Sequence, residues 1–176
     1  MENLNQPERN RYIDVGLERV LNQVSQRIER DELIIKTIRN LRELIQVDRV
    51  VLYYFYTQWQ GQVIFESLSK DEYSILGSTG ADECFNNEYA AMYLQGRVRA
   101  INDIETESIH ECHREFLQGL KVRANLVVPV LTVKKGLWGL LVAHNCQAVR
   151  CWSSSDIQEM QRGAEILATS PYVLGH

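Results

Sequence analysis

Apolar residues recur at three- and four-residue steps through the first part of the chain: Ile13, Leu17, Val20, Leu21, Val24 and Ile28, then Leu33, Ile34, Ile38, Leu41, Leu44 and Ile45. This period lays them along one stripe of a helix. Polar RIERDE divides the run, which predicts a long first helix over roughly residues 10–30 and a shorter one that packs on the domain. The three prolines are Pro7, Pro129 and Pro171, and none interrupts either stripe. The first stripe is consistent with simple core packing or with docking on a second copy or a neighbouring module.

At Asp48 the period changes. VDRVVLYYFYT is rich in β-branched and aromatic residues, and QWQG turns into QVIFESLS, which predicts a hairpin. Residues 69–105 carry Gly77, Gly80, Gly96, the polar cluster GSTGADE and one short helical piece, NNEYAAMYLQG. They predict a loop-rich lid over a pocket. IHECHREFLQGL predicts a short helix ended by Gly119. VRANLVVPVLTV and GLWGLLVAHNC predict two apolar strands joined at KKG, followed by a serine-capped closing helix over roughly residues 153–170. Hairpin connections make the sheet antiparallel, and the nearly continuous apolar character of the second hairpin implies cover on both faces. The expected fold class is α+β, a central antiparallel sheet flanked by helices. The expected divisions are an N-terminal entry helix at residues 1–30, the domain at 31–170 and a tail at 171–176.

Composition acts mainly by exclusion. The 176 residues include 19 basic and 23 acidic side chains, a net charge of −4, so no basic footprint for nucleic acid or an anionic membrane is present. No apolar run approaches the ~20 residues of a membrane span, and the first residues lack the pattern of a secretory signal, which makes the cytoplasm the expected compartment. In that compartment Cys84, Cys112, Cys146 and Cys151 read as free thiols, metal ligands or reactive groups rather than a disulfide frame. No CxxC or HxxxH spacing occurs, so no metal site is expected.

Three constellations carry candidate chemistry: Asp82-Glu83-Cys84-Phe85, Cys112-His113 and Ala143-His144-Asn145-Cys146. A nucleophilic thiolate needs a lowered pKa or a nearby base. Consecutive helix residues do not face each other, so His113 is aimed at whatever Cys112 binds rather than at Cys112 itself. Taken singly, each group has a plain structural account. A cysteine is a small buried apolar residue, a histidine closing an apolar strand is a satisfied core side chain, and Asp82 is a turn residue. Cys146 reads as structural and Cys151 as a surface thiol beyond a strand end.

Taken in order, these pieces resemble the bilin-binding GAF domains of phytochrome-related photoreceptors, in particular the cyanobacteriochromes. The resemblance spans roughly residues 30–170 and rests on VDRVVLYYF, Asp-Glu-Cys-Phe at 82–85, GRVRAINDI, Cys112-His113, VRANLVVPV and LWGLLVAHNC followed by Trp152. It departs from many relatives at QAVRCW, where they carry a proline. The tetrapeptide is similar to the signature of a two-cysteine subgroup. The resemblance implies a photoreceptor that is not an enzyme beyond its own pigment attachment, and a covalently bound linear tetrapyrrole, phycocyanobilin or phycoviolobilin. It implies Cys112 as the permanent ring A thioether, His113 against the pyrrole rings, and Asp82 as acceptor for pyrrole N–H groups. Arg97 would clamp a propionate, His144 would bond near ring D, Tyr89 would stack on that ring, and Phe85 of the tetrapeptide would be a further pigment-binding residue. Cys84 would add reversibly to the central methine bridge, so that isomerisation between rings C and D switches a violet or blue state to a green or teal one. The terminal helices would pass the change to an output domain of a parent signalling protein, or across a homodimer. Two other functions are compatible with a GAF domain: a free methionine sulfoxide reductase, which needs attacking and resolving thiols within reach of each other, and a non-covalent sensor of a cyclic nucleotide.

Overall fold

The computed structural model describes residues 6–28, 31–57, 60–80 and 87–175. The apolar stripes form helices where the period places them, α1 at Gln6–Ile28 and α2 at Glu32–Ile45. Asp31 caps α2, its Oδ1 accepting from the N–H groups of Leu33 and Ile34. Its Oδ2 accepts from the hydroxyl of Ser170, a fully buried residue far along the chain.

Five strands follow, β1 at Arg49–Thr57, β2 at Gln60–Leu68, β3 at Arg99–Ile101, β4 at Ala124–Thr132 and β5 at Gly136–Asn145. They form one antiparallel sheet in the order β2-β1-β5-β4-β3. Pro129 lies within β4, where a missing N–H would normally break a ladder. Here β3 pairs only with Asn125–Val127, so β4 has no strand on that side at Pro129.

Both faces of the sheet are covered, as the apolar second hairpin requires. On one face α2 and α5 (Ser154–Ala168) pack over Val50, Leu52, Leu126, Val128, Leu141 and Ala143. Gly163 of α5 lets the two helices close up, because a Cβ there would stand 2.3 Å from Leu41 Cδ1. Ser153 and Asp156 make a reciprocal capping box at the start of α5. The opposite face carries a second apolar cluster, Val51, Val63, Val127, Leu140 and Val142, under Tyr93 of α3 (Asn87–Leu94).

The structure differs from the sequence reading in two places. Residues 69–105 hold more than loops and one helix, since a 3-10 turn at Asp71–Tyr73 and the short strand β3 lie within them. Three residues are too few for a periodic signal. Gly119 is the last residue of α4 (Glu111–Gly119), as the sequence reading has it, and the chain then turns at Lys121, whose φ of 57° lets its N–H and that of Val122 bond back to Gln118 and Leu117. The expected tail is helical, α6 at Pro171–Gly175, with Val173 buried.

Candidate functional site

Between the second apolar cluster and α4 lies a cavity of about 840 Å³, counted to its open mouth. Val51, Val63, Val127, Leu140 and Val142 line it from the sheet, Tyr93 from α3, and His113, Phe116 and Leu117 from α4. A few polar groups stand among these apolar walls: Tyr53, Arg99, Asn125, His144 and the segment Ser78–Gly80. Mostly apolar walls with a few convergent polar groups are the usual character of a small-ligand site.

The segment is strapped to the sheet. Val63 N–H donates to the Ser78 carbonyl, and the Val63 carbonyl accepts from Gly77 N–H just before the segment, at 2.9 Å each. Gly80 N–H donates to the Tyr53 hydroxyl at 2.9 Å, and a Cβ on Gly80 would lie 2.6 Å from that oxygen. Gly80 is the last described residue before 81–86. Asp82, Cys84 and Phe85 lie outside the described residues, and Tyr89 is described only as part of the α3 backbone.

The remaining predicted residues can be placed. His113 and His144 reach the same cavity from α4 and β5. Cys112 is half-buried in the first turn of α4, its N–H capped by His110 Nδ1 at 3.3 Å, and it is not part of the described lining. Its sulfur belongs to a disulfide, contrary to the expectation of free thiols, which holds for half-buried Cys146 and exposed Cys151. Compartment and spacing rules could not anticipate a bond set by the fold. Arg97 stands against Met92 and is not part of the lining; Arg99, two residues on, is, and it pairs with Glu107 at 3.1 Å. Among the described residues no cluster of His, Cys, Asp and Glu could hold a metal.

Three residues that sequence reasoning passed over complete the polar set. Arg49, fully buried at the start of β1, donates from Nε to His144 Nδ1 at 3.0 Å, from Nη1 to the Tyr73 carbonyl and from Nη2 to the Leu120 carbonyl at 2.8 Å. Asn125 of β4 is 4% exposed, and its Oδ1 is buried without a hydrogen-bond partner. Arg99 is the third. The available signal was a charged or amide side chain inside an otherwise apolar strand, as in VDRVV and ANLVV.

Burial, with the Arg49 charge beside it, holds His144 well below the ordinary imidazole range. Burial and then the Arg99 charge lower His113. Both are therefore neutral in the folded chain near neutral pH, whereas the unfolded chain takes up their protons near pH ~6.5. Unfolding below that value binds extra protons, so the stability advantage is full above about pH 6.5 and is lost as pH falls towards the folded-state values. Asp103, held low by its hydrogen bond from Arg123, acts only in a separate window below about pH 4. Urea midpoints should therefore drop between about pH 7.5 and 5.5, and His144→Gln should flatten that slope. A midpoint independent of pH in this range would contradict neutral buried imidazoles.

The GAF domain family matches residues 29–170. The chain belongs to this family. The GAF domain is 46% identical over 155 residues to an uncharacterized protein of Picosynechococcus sp., covering 88% of this chain and 94% of that protein. It is 36% identical over 134 residues to a putative methyl-accepting chemotaxis protein of Synechocystis sp., covering 76% of this chain but only 13% of that much longer protein. Among solved structures, the cyanobacteriochrome receptor PixJ superposes with a TM-score of 0.73 at 32% identity, over 86% of this chain and 99% of that one. A phycocyanobilin-bound GAF domain from a cyanobacterial phytochrome gives a TM-score of 0.71 at 28% identity, over 99% of both chains.

Proposed function

We propose that this GAF domain is the photosensory unit of a larger signalling protein and holds a linear tetrapyrrole in the cavity under α4. The observation that carries the reading is the convergence on one apolar cavity of His113, next to Cys112 on α4, and His144 from β5. The donor set fits such a pigment. Apolar walls accommodate flat pyrrole rings, Arg99 offers a guanidinium to a propionate, and His113, His144 and the unpartnered Asn125 Oδ1 offer bonds to ring N–H and C=O groups. Bound, the pigment would supply light absorption and a bond that isomerises.

The chain's own residues divide the work. Cys112 is the anchor: its thiol adds across a carbon–carbon double bond on ring A, the sulfur–carbon bond forming as the S–H proton passes to the neighbouring carbon. Cys84 is the reversible second thiol that shortens the conjugation and gives the violet or blue state, with green or teal absorption once it leaves. Asp82 accepts from pyrrole N–H groups, Tyr89 and Phe85 flank the rings, and Arg97 or Arg99 takes a propionate. Helices α1 and α5 carry the change to an output module or a second copy; Val15 and Val20 are about half exposed on α1. Cys146 and Cys151, the free thiols among the described residues, do not line the cavity and take no part in this reading. A non-covalent nucleotide sensor leaves Cys112-His113 without a role.

Co-expression with the enzymes that make phycocyanobilin should give a coloured chain whose band still fluoresces with zinc after denaturation. Its absorption should change on illumination and reverse under the second colour. A colourless product, with pigment supply confirmed in parallel, would overturn the reading.

A further inference from the structure

Arg99 of β3 stands opposite Val127 of β4, and both residues line the cavity. Its Nη2 donates to Glu107 Oε1 at 3.1 Å, and the two side chains are 28% and 35% exposed, so the pair lies at the rim rather than on the floor. Glu107 itself is not part of the described lining. Its carboxylate therefore reaches the guanidinium of the cavity from outside, from the turn between β3 and α4.

That turn is fixed independently of the pair. The Asp103 carboxylate takes two bonds from Arg123, at 2.8 and 3.0 Å, and the Asp103 carbonyl accepts the Glu107 N–H at 3.0 Å. Arg114 of α4 donates to the carbonyls of Ile104 at 3.1 Å and Glu107 at 2.9 Å. The Glu107 carboxylate, by contrast, bonds Arg99 alone among the described residues. It is free to swing into water without loosening the turn that carries it. A half-wet ion pair of this kind contributes little to stability. Its position matters more. A guanidinium grips a carboxylate at two points through Nε with Nη2, or through Nη1 with Nη2. Both grips use the nitrogen that Glu107 occupies.

We propose that Glu107 is a specificity-determining residue: it occupies Arg99 while no ligand is bound, and a ligand carboxylate gains Arg99 only by turning Glu107 out. A small anion such as phosphate exchanges one ion pair for another and gains nothing else. A ligand that carries its carboxylate on a large apolar body adds the burial of that body against Val127, Leu140 and Val142. Glu107 thus selects against small anions and for an amphipathic acid. That the acid is a tetrapyrrole propionate rests on the pigment reading above; the exchange itself does not. The charged and titratable groups around the pair are His113 on α4, which feels the Arg99 charge, the Arg114–Glu111 pair on the same helix, and Asp103 with Arg123.

The exchange is read first without pigment, by proton NMR of the full chain, with the His113 signal assigned by its loss in His113→Gln. Glu107→Gln leaves the Arg99 charge unbalanced, so His113 should titrate at lower pH than in the parent. Millimolar phosphate, at constant ionic strength, should bring that titration back up in Glu107→Gln and leave the parent unmoved. Glu107→Ala should repeat both results. A titration indifferent to Glu107, or phosphate acting equally on both chains, overturns the proposal. The second reading uses phycocyanobilin and its neutral dimethyl ester in a Cys112→Ala background, where binding is reversible. Glu107→Gln should tighten the acid about three- to fivefold and leave the ester unchanged. The gain should shrink at high salt and vanish when Arg99→Gln is added. Weaker acid binding in Glu107→Gln would make Glu107 a support for Arg99 and overturns the proposal, as does an equal gain for the ester. Binding of neither form defeats the pigment reading, while the phosphate result still decides the exchange.

Discussion

With Cys112 replaced by alanine, the denatured chain should lose its zinc fluorescence almost to background, whatever colour the native protein retains. The cavity walls remain in that variant, so pigment can still enter and be held by apolar contact, His113 and His144. Only a covalent bond survives denaturation, and addition requires a thiolate at the right place. The parallel variants Cys146→Ala and Cys151→Ala should leave attachment untouched, since neither residue lines the cavity. The disulfide at Cys112 adds a second, independent outcome. A sulfur in a disulfide has no thiol to add, so pigment offered to the oxidised chain should bind without covalent attachment. Reduction by a dithiol, which takes up the other half of the exchange as its own disulfide, should restore attachment. Full covalent colour in Cys112→Ala would move the anchor elsewhere.

The second large effect is on stability. Trp138 of β5 is 1% exposed and packs against Tyr54 with ring centroids 4.9 Å apart. Truncation to alanine should cost about 3–5 kcal/mol, a large part of the ~5–15 kcal/mol available to a domain. Trp138→Phe should cost far less, for two opposed reasons. The phenyl ring keeps most of the contact with Tyr54, and the change removes an indole N–H that is buried without a partner. An unsatisfied buried donor carries a penalty of about 1–3 kcal/mol, which offsets much of the lost volume. Guanidinium midpoints of the two variants separate the effects. A loss below about 1 kcal/mol in Trp138→Ala would mean that the site collapses around the gap.

Much of the fold could be read because its signals are local. The stripe through Ile34, Ile38, Leu41 and Ile45 marks α2, and all four are buried. The apolar runs around Val128 and Leu141 mark the two-sided strands. The lone arginine in VDRVV stands out only as a charge in an apolar strand, because the partners that give it a place lie 24, 71 and 95 residues away. Asn125 and His144 become neighbours only once β4 and β5 are registered. The different placement of Arg97 and Arg99 has the same origin. Both arginines sit in GRVRAINDI, and the short strand β3, which leaves no period in the sequence, determines which one faces the cavity.

The bond between Asp31 and Ser170 has a bearing on how such a unit works inside a longer polypeptide. It clasps the cap at the start of α2 to the turn after α5. Segments joined before residue 31 and after residue 170 therefore start from a shared corner, like two levers on one pivot. A small rotation of either would be felt by the other without crossing the sheet.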